Sequence, residues 1–379
     1  MLSGPLWNKI PQFALPVAAT AILEQLFNAS DIAVVGNFSG AASTIAVAAV
    51  GANSFVISLV VNFFIGIALG ANVVIANAIG AVNVVKVDHK GNETVLTGYN
   101  SDVIGFTKSM RYICALTIAG SDSCGGAGVQ ADIKTMSALG VYAASAITSV
   151  TVQNTLGVQA IQAIQPEIVA GQIRAVMDDI KPTAIKVGMV NDQATILAIA
   201  DTLQQYSPQK LVVDPVMVST SGSMLMQNDA LGTFCSRLLP MATLLTPNIP
   251  EAEVLSNRSI SSTDDMDAAG GSILALGCKA VLIKGGHLEG RKVDKLYLPN
   301  DEVCSFVHEA IATRNTHGTG CTLSSAIAAF MARGLALADA VAQAKTYLSQ
   351  ALEAGKDVHI GEGHGPVNHL FNPEKQIIL

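Results

Sequence analysis

Hydrophobic and polar positions alternate with three different rhythms along this chain. From Phe13 to Val35 they form an apolar segment interrupted by Glu24, Gln25, Asn28 and Asp31. A second apolar segment runs from about Ile45 to Ile79, broken only by uncharged residues such as Asn53, Asn62 and Asn72. No Asp, Glu, Lys or Arg occurs between Asp31 and Lys86. Each segment is long enough to cross a bilayer core, which needs about 20 apolar residues. The pattern over residues 1–79 therefore predicts an apolar helical hairpin. Lys9 on one side and Lys86, Lys90 and Lys108 on the other place both ends toward the cytoplasm. A cleaved secretory signal does not fit, because acidic residues and a second apolar run follow the first.

From Ala81 to Asp102 the rhythm becomes strand-like. Ala81–Val87 and Thr94–Asp102 flank a turn at Lys90-Gly91-Asn92, which predicts a short β-hairpin in residues 80–110. From Arg111 onward, short apolar runs alternate with amphipathic segments of helical length. Strands are expected at Ala115–Ala119, Ala146–Val152, Ala184–Val190, Lys210–Asp214, Thr243–Leu245 and Ala280–Lys284. Helices are expected at Val129–Leu139, Pro166–Ile180, Ala194–Gln204, Met266–Leu276, Cys321–Arg333 and Ala338–Ala354. This alternation reads as an α/β domain over residues 111–379, with a mainly parallel sheet covered by helices on both faces.

Composition sharpens the picture only in places. The mean hydropathy of +0.45 and the 13% charged content owe much to the uncharged N-terminal stretch. A net charge of −7 with no Lys/Arg cluster excludes a nucleic-acid footprint. The six cysteines all lie beyond residue 110, with no C-x-x-C pair and no zinc-type spacing to histidine. They read as reduced thiols of a cytoplasmic domain.

In a parallel sheet of this kind, polar residues just past the strand C-termini line the ligand crevice. Here they are Gly120-Ser121-Asp122, Gln153-Asn154, Asp214, Pro247-Asn248 and Lys284-Gly285-Gly286. The most informative stretch is Thr316-His317-Gly318-Thr319-Gly320-Cys321-Thr322-Leu323-Ser324. Its glycines let the backbone approach a phosphate, and the helix that follows points free N–H groups and its positive dipole end at it. A cysteine in that first turn is expected to have a lowered pKa, suited to proton abstraction. Read alone, the same stretch also fits a glycine turn with Cys321 as a small buried residue. Two other phosphate signatures fail. Gly285–Lys292 has Arg291 where a P-loop needs lysine, and no Ser/Thr follows Lys292. Gly126-Ala127-Gly128-Val129-Gln130-Ala131 fits G-x-G-x-x-A, but Gly120–Gly125 intervene after the strand and the next strand ends in Gln153 rather than an acid.

Several ordered motifs then identify a resemblance. They are Ala115–Asp122, Gly125–Asp132, Gln153-Asn154-Thr155, Lys186-Val187-Gly188-Met189, Thr246-Pro247-Asn248, Lys284-Gly285-Gly286-His287, His317–Cys321 and Gly363–Val367. Together they resemble hydroxymethylpyrimidine/phosphomethylpyrimidine kinases of thiamine biosynthesis, members of the ribokinase-like fold. The resemblance spans essentially all of residues 111–379. It implies a three-layer α/β domain, ATP and Mg²⁺, a small pyrimidine substrate and a homodimer. It implies Cys321 as the group that takes the substrate's hydroxymethyl proton. The amides of Gly318, Thr319 and Gly320 would hold the transferring phosphoryl group, and Lys284 would neutralise the ATP phosphates. Asn248 and Glu251 would position Mg²⁺ through water, although Glu251 also reads as an exposed helix-start carboxylate. Gln153 would hydrogen-bond the aminopyrimidine edge. Asp132 and Gly120 would lie near the substrate and Met189 would pack on its ring, while Asp132 also reads as an exposed helix residue. His317 and His287 read as structural or phosphate-proximal. Ser123-Cys124 departs from the Pro-Ser of many relatives and adds a second exposed thiol in the loop.

Two further resemblances concern the N-terminus. Residues 1–79 resemble the first two helices of multidrug and toxin extrusion (MATE) transporters, through Leu15-Pro16, Glu24–Asn28, Asp31–Gly36 and Gly70–Ala76. Residues 80–110 resemble a stretch of shikimate dehydrogenase, through Gly80–Asn83 and Gly98–Phe106, but without its catalytic lysine or cofactor-binding domain. The expectation is a fusion seam near Ala78–Ala81, with residues 1–110 a recombination, gene-model or assembly product that supplies no transport. The competing functions are a pyridoxal/pyridoxine kinase and a membrane transporter or tether acting through residues 13–79.

Overall fold

The computed structural model describes the backbone of residues 84–90 and 93–99, and residues 111–217, 225–227, 229–285, 292–300 and 302–378. The chain divides into two compact units, one ending at Arg111 and the other Tyr112–Ile378. In the first, β1 (Val84–Lys90) and β2 (Glu93–Tyr99) pair antiparallel, from Val84 opposite Tyr99 to Lys90 opposite Glu93. This is the expected hairpin. The apolar segments of residues 13–79 lie outside the described residues. No helix of the described residues is long and apolar enough to cross a membrane.

The second unit begins with β3 (Cys114–Ala119), α1 (Gly128–Ala138) and β4 (Tyr142–Ile147). A hairpin follows, β5 (Ser149–Asn154) and β6 (Gly157–Ala163), and then α2 (Pro166–Asp179), β7 (Ala184–Val187), α3 (Gln193–Tyr206) and β8 (Leu211–Val213). Next come the short α4 (Ala230–Thr233), β9 (Leu244–Leu245), α5 (Ile249–Ser256), α6 (Thr263–Leu274) and β10 (Val281–Ile283). The chain closes with β11 (Lys292–Tyr297), β12 (Val303–His308), α7 (Thr319–Ala332) and α8 (Leu337–Gly355).

The main sheet has eight strands in the order β12-β11-β10-β9-β8-β7-β3-β4. The strands from β10 to β4 run parallel, while β11 and β12 turn back antiparallel at one edge. The parallel strands are apolar at successive positions because both faces are covered. Leu116, Ile118, Ile185, Val187, Leu211, Val213, Val281 and Ile283 face a core shared with α2, α3, α5 and α6. Ala115, Ala184, Val212, Leu244 and Leu282 face the opposite core, shared with α1, α7 and α8. The result is the expected three-layer α/β arrangement.

The strand expected over Ala146–Val152 is two strands. Thr148 breaks it, donating its N–H to Ala119 O (3.0 Å) and its hydroxyl to Met189 O (2.9 Å). Beyond it, β5 leaves the main sheet and pairs only with β6. The antiparallel edge β11–β12 was absent from the expected strands. Its Lys292, Asp294 and Lys295 interrupt the apolar run by which the buried strands are recognised. Helix α5 was foreseen only as a helix start at Glu251, which is buried rather than exposed; it carries a full capping box: Asn248 accepts from Glu251 N and Glu251 from Asn248 N, each at 2.9 Å.

Candidate active site

The strand order reverses beside β3, whose chain neighbour β4 lies on one side and β7 on the other. A crevice forms at such a switch point, beyond the strand C-termini. Helix α7 supplies its far wall. Its residues Ala326, Ala328 and Ala329 are fully buried, and such small side chains let it lie close against the sheet. Its N-terminus is thereby aimed at the strand ends.

Helix α7 starts at Thr319, two residues before the expected Cys321, with Gly318 as its N-cap at φ +79°. A Cβ at Gly318 would lie 1.8 Å from Gly126 O, so both its conformation and its neighbour demand glycine. The first-turn amides of Gly320 and Cys321 have no acceptor within the helix. The Thr319 amide is partly spent on Thr316 O at 3.3 Å, which makes it a poorer anion donor than its two neighbours. A Cβ at Gly320 would lie 3.5 Å from both Asp214 Oδ2 and Lys284 Nζ, so the turn meets the charged floor of the crevice there.

Cys321 corrects an expectation. Burial pushes its thiol up to about 11, and the carboxylates of Asp132 and Asp214 add to this, against Lys186 and the Gly128 amide. A helix N-terminus lowers a thiol pKa only where desolvation and nearby carboxylates do not outweigh it. At neutral pH Cys321 is a thiol.

Lys284 follows β10 and pairs with Asp214, which follows β8, at 2.9 Å. Asp214 also accepts from Thr246 Oγ1 (3.0 Å) and Ser324 Oγ (3.2 Å). Burial alone would raise the Asp214 carboxyl, but Lys284 and Lys186 hold it below the usual range. Asp214 closes an expected strand, yet its place beside Gly320 and Lys284 was not foreseen. Asn248 and Glu251 stand nearby, their side chains engaged in the capping box, with Glu251 Oε1 also accepting from Met217 N at 3.4 Å. Burial pushes Glu251 up to about 7, with Asp214 adding to the rise and Lys284 opposing it. Two buried carboxylates thus face one lysine. Their carboxylate oxygens are donors of the type a divalent cation takes, and Asp214 is free of the capping box that engages Asn248 and Glu251.

The substrate-side candidates separate. Gly120 and Met189 come together, since a Cβ on Gly120 would lie 3.2 Å from Met189 Sδ and 2.6 Å from Ser149 Oγ. Gln153 sits on the β5–β6 hairpin, where Thr151 Oγ1 donates to its Oε1 at 3.3 Å. Ser123 Oγ both donates to Gln153 O (2.7 Å) and accepts from Gln153 N (2.8 Å), stitching the loop after β3 to this hairpin. Asp132 is neither exposed nor at the crevice surface. Its carboxylate is fully buried, accepts from Lys186 Nζ at 2.8 and 3.0 Å and from Thr117 Oγ1 at 2.5 Å, and so reaches a ligand only through its neighbours. Burial alone would lower Lys186, but Asp132, Cys321 and Asp214 push it up. His317 binds Asp122 at 2.8 Å, and Asp122 also takes the amides of Cys124, Gly126 and Ala127. That network joins the loop after β3 to the turn before α7. His287 lies outside the described residues.

Comparison with known proteins accords with this geometry. The phosphomethylpyrimidine kinase family matches residues 122–368, and the MatE family matches residues 16–107. A hydroxymethylpyrimidine/phosphomethylpyrimidine kinase of Rhizobium meliloti (strain 1021) is 49% identical over 257 residues, covering 68% of this chain and 96% of the relative. The namesake of Escherichia coli (strain K12) is 45% identical over 262 residues, covering 69% and 98%. Among solved structures, a phosphomethylpyrimidine kinase from Clostridium difficile 630 is 46% identical with a TM-score of 0.58, covering 63% of this chain and 99% of its own. An ADP complex of Bacillus subtilis pyridoxal kinase is 34% identical with a TM-score of 0.62, covering 69% and 98%. From the loop after β3 to the segment after α8, this chain belongs to the phosphomethylpyrimidine kinase family and is a kinase of the ribokinase-like fold.

Proposed function

We propose that the domain phosphorylates 4-amino-5-hydroxymethyl-2-methylpyrimidine with ATP, and then its monophosphate, giving the diphosphate used for thiamine. The observation that carries this reading is the convergence of the α7 N-terminus, Cys321, Lys284 and Asp214 on one crevice. The anion-facing amides of the turn hold the transferring phosphoryl group, where charge spreads over its oxygens. Lys284 neutralises the ATP phosphates. A bound Mg²⁺ would be held by Asp214, Asn248 and Glu251, in part through water, and would supply further charge neutralisation on the phosphates. Gln153 meets the aminopyrimidine edge and Met189 packs on the ring beside Gly120. Cys321, once its own proton has gone to solvent, takes the proton of the attacking hydroxymethyl oxygen as the new O–P bond forms and the γ-phosphorus parts from the bridging oxygen, which leaves with ADP.

The pyridoxal kinases among the structural relatives are 30–34% identical, below the 46% of the phosphomethylpyrimidine kinase, which favours the pyrimidine. The MatE match is what supports membrane tethering through residues 13–79, and fractionation of the full chain checks that arm. A coupled ATP assay on purified full-length protein, with hydroxymethylpyrimidine, its monophosphate and pyridoxal in competition, tests the substrate. Preference for pyridoxal would reverse the assignment. Cys321→Ala should lose most turnover, by about 10²–10⁴-fold, with an unchanged unfolding midpoint; near-normal turnover removes Cys321 as the base.

A further inference from the structure

The loop after β3 holds a cluster that the phosphoryl-transfer chemistry does not use. Asp122, Cys124 and His317 each offer one ligand atom, and these atoms all lie within 4.8 Å of one another. His317 Nε2 is 2.8 Å from Asp122 Oδ2, and Cys124 Sγ donates to the same oxygen at 3.3 Å. The carboxylate is oriented by the backbone: Gly126 N (3.0 Å) and Ala127 N (2.8 Å) donate to the same Oδ2, and Cys124 N (3.0 Å) donates to Oδ1. The backbone of His317 is pinned by its N–H to Gly365 O at 3.0 Å. Two ligand atoms therefore converge through hydrogens on a third that is already oriented by the backbone. Asp122 and His317 are buried, while Cys124 is partly exposed and opens the cluster to solvent. The neighbouring cation, Lys134, is engaged on Gly125 O at 2.7 Å.

We propose that Asp122, Cys124 and His317 form a site for a thiophilic divalent cation of the zinc class, which locks the loop after β3 onto the turn before α7 and inhibits the kinase. One sulfur, one imidazole nitrogen and one carboxylate oxygen are the donors Zn²⁺ takes, whereas Mg²⁺ and Ca²⁺ avoid thiols. Metal–ligand bonds of about 2.0–2.3 Å fit a cation set between atoms this close. Binding replaces the hydrogens that now bridge the three groups. The metal–sulfur bond forms as the thiol proton leaves to solvent, His317 binds through Nε2 as the proton there is given up to solvent and Nδ1 carries the ring's N–H, and water completes the fourth position. The amides on Asp122 act as the outer shell that orients a ligand. His317 heads the His317–Cys321 turn, so a metal bridge there would restrain the segment that must settle around the phosphoryl group.

The test uses reduced full-length protein and two probes, Zn²⁺ in competition with a chromophoric chelator and Co²⁺ followed by its thiolate charge-transfer band. Wild type should bind one equivalent of Zn²⁺ and show the band, with loss of turnover at saturating Mg²⁺. Cys124→Ser should keep its turnover, lose the cobalt band and weaken Zn²⁺ at least about 100-fold, since even loss of an outer-shell partner costs 10–100-fold. His317→Gln should weaken Zn²⁺ similarly, read by binding alone. If Cys124→Ser binds Zn²⁺ and is inhibited like wild type, the metal sits on another thiol and the proposal fails. Failure of wild type to bind Zn²⁺ also overturns it, and neither result depends on which alcohol the kinase phosphorylates.

Discussion

Two lysine–aspartate pairs lie against the same sheet and differ in their access to solvent. Lys186 and Asp132 are both fully buried at 2.8 Å, while Lys284 and Asp214 meet at 2.9 Å with Lys284 still 17% exposed. Each lysine stands on or just after a strand, and each aspartate faces it from a neighbouring element. The first pair is sealed beneath the crevice by Thr117 and the helix layers, so its charge acts on Cys321 only through the field. The second opens at the lip beside Gly320, where a phosphate can replace part of the contact. Identical chemistry is thus sealed in one place and open to a ligand in the other. Access decides which.

The comparison can be broken most forcefully at the sealed pair. Asp132→Ala leaves a buried ammonium without its partner and should cost about 3–5 kcal/mol of stability, measured by denaturant unfolding. Replacing both residues by apolar ones, Asp132→Leu with Lys186→Met, should recover much of that loss. A single variant of wild-type stability would mean that Lys186 finds another partner.

The open pair should respond the other way round. Lys284→Met should lower kcat/KM for ATP by about 10²–10³-fold, equivalent to about 2.7–4 kcal/mol, the range seen when one donor to developing charge is removed. Its unfolding midpoint should move less than that of Asp132→Ala. A large stability loss with modest kinetic change would make Lys284 structural as well.

Cys321 sits between the two pairs, and its pH profile reads their combined field. If its thiolate is the base, kcat should rise about tenfold per pH unit from neutrality toward about 11. A flat profile would mean that the thiol positions the substrate and the proton leaves by another route.

The smallest effect concerns Glu251. Its folded pKa of about 7 lies above the unfolded value of about 4.3, so the native state binds the extra proton. Its contribution is present below about pH 4.3 and is lost as pH rises through about 7. His369, depressed by burial to about 4, acts oppositely over part of the window, so the difference between wild type and Glu251→Gln isolates the carboxylate. In metal-free buffer that difference should change across this window, and Mg²⁺ should shrink it by keeping Glu251 ionised.

Much of this was legible in the residues. Continuous apolar runs announced the parallel strands because both sheet faces are covered, and the Gly318–Cys321 turn announced an anion site because glycine and a helix start are local features. Lys284 and Gly120 were legible as residues just past strand ends; Gln153 was read the same way, but the structure sets it in a hairpin that the sequence pattern did not announce. The edge strands β11 and β12 were not, since a half-covered edge tolerates charges that break the apolar signal. Asp132 was misplaced because a helix residue's spacing along the chain does not say what lies opposite it.

The sequence by itself determined the layered α/β domain, the family and the glycine turn, all of which follow from local periodicity and ordered motifs. Only the tertiary structure decided the charge states and the traffic of protons. It set a half-buried Cys321 in the field of two carboxylates, sealed Asp132 against Lys186, set Asp214 beside Lys284 and brought Asp122, Cys124 and His317 together. Desolvation and Coulomb interactions depend on distance in space, and residues 122 and 317 are neighbours only after the chain has folded.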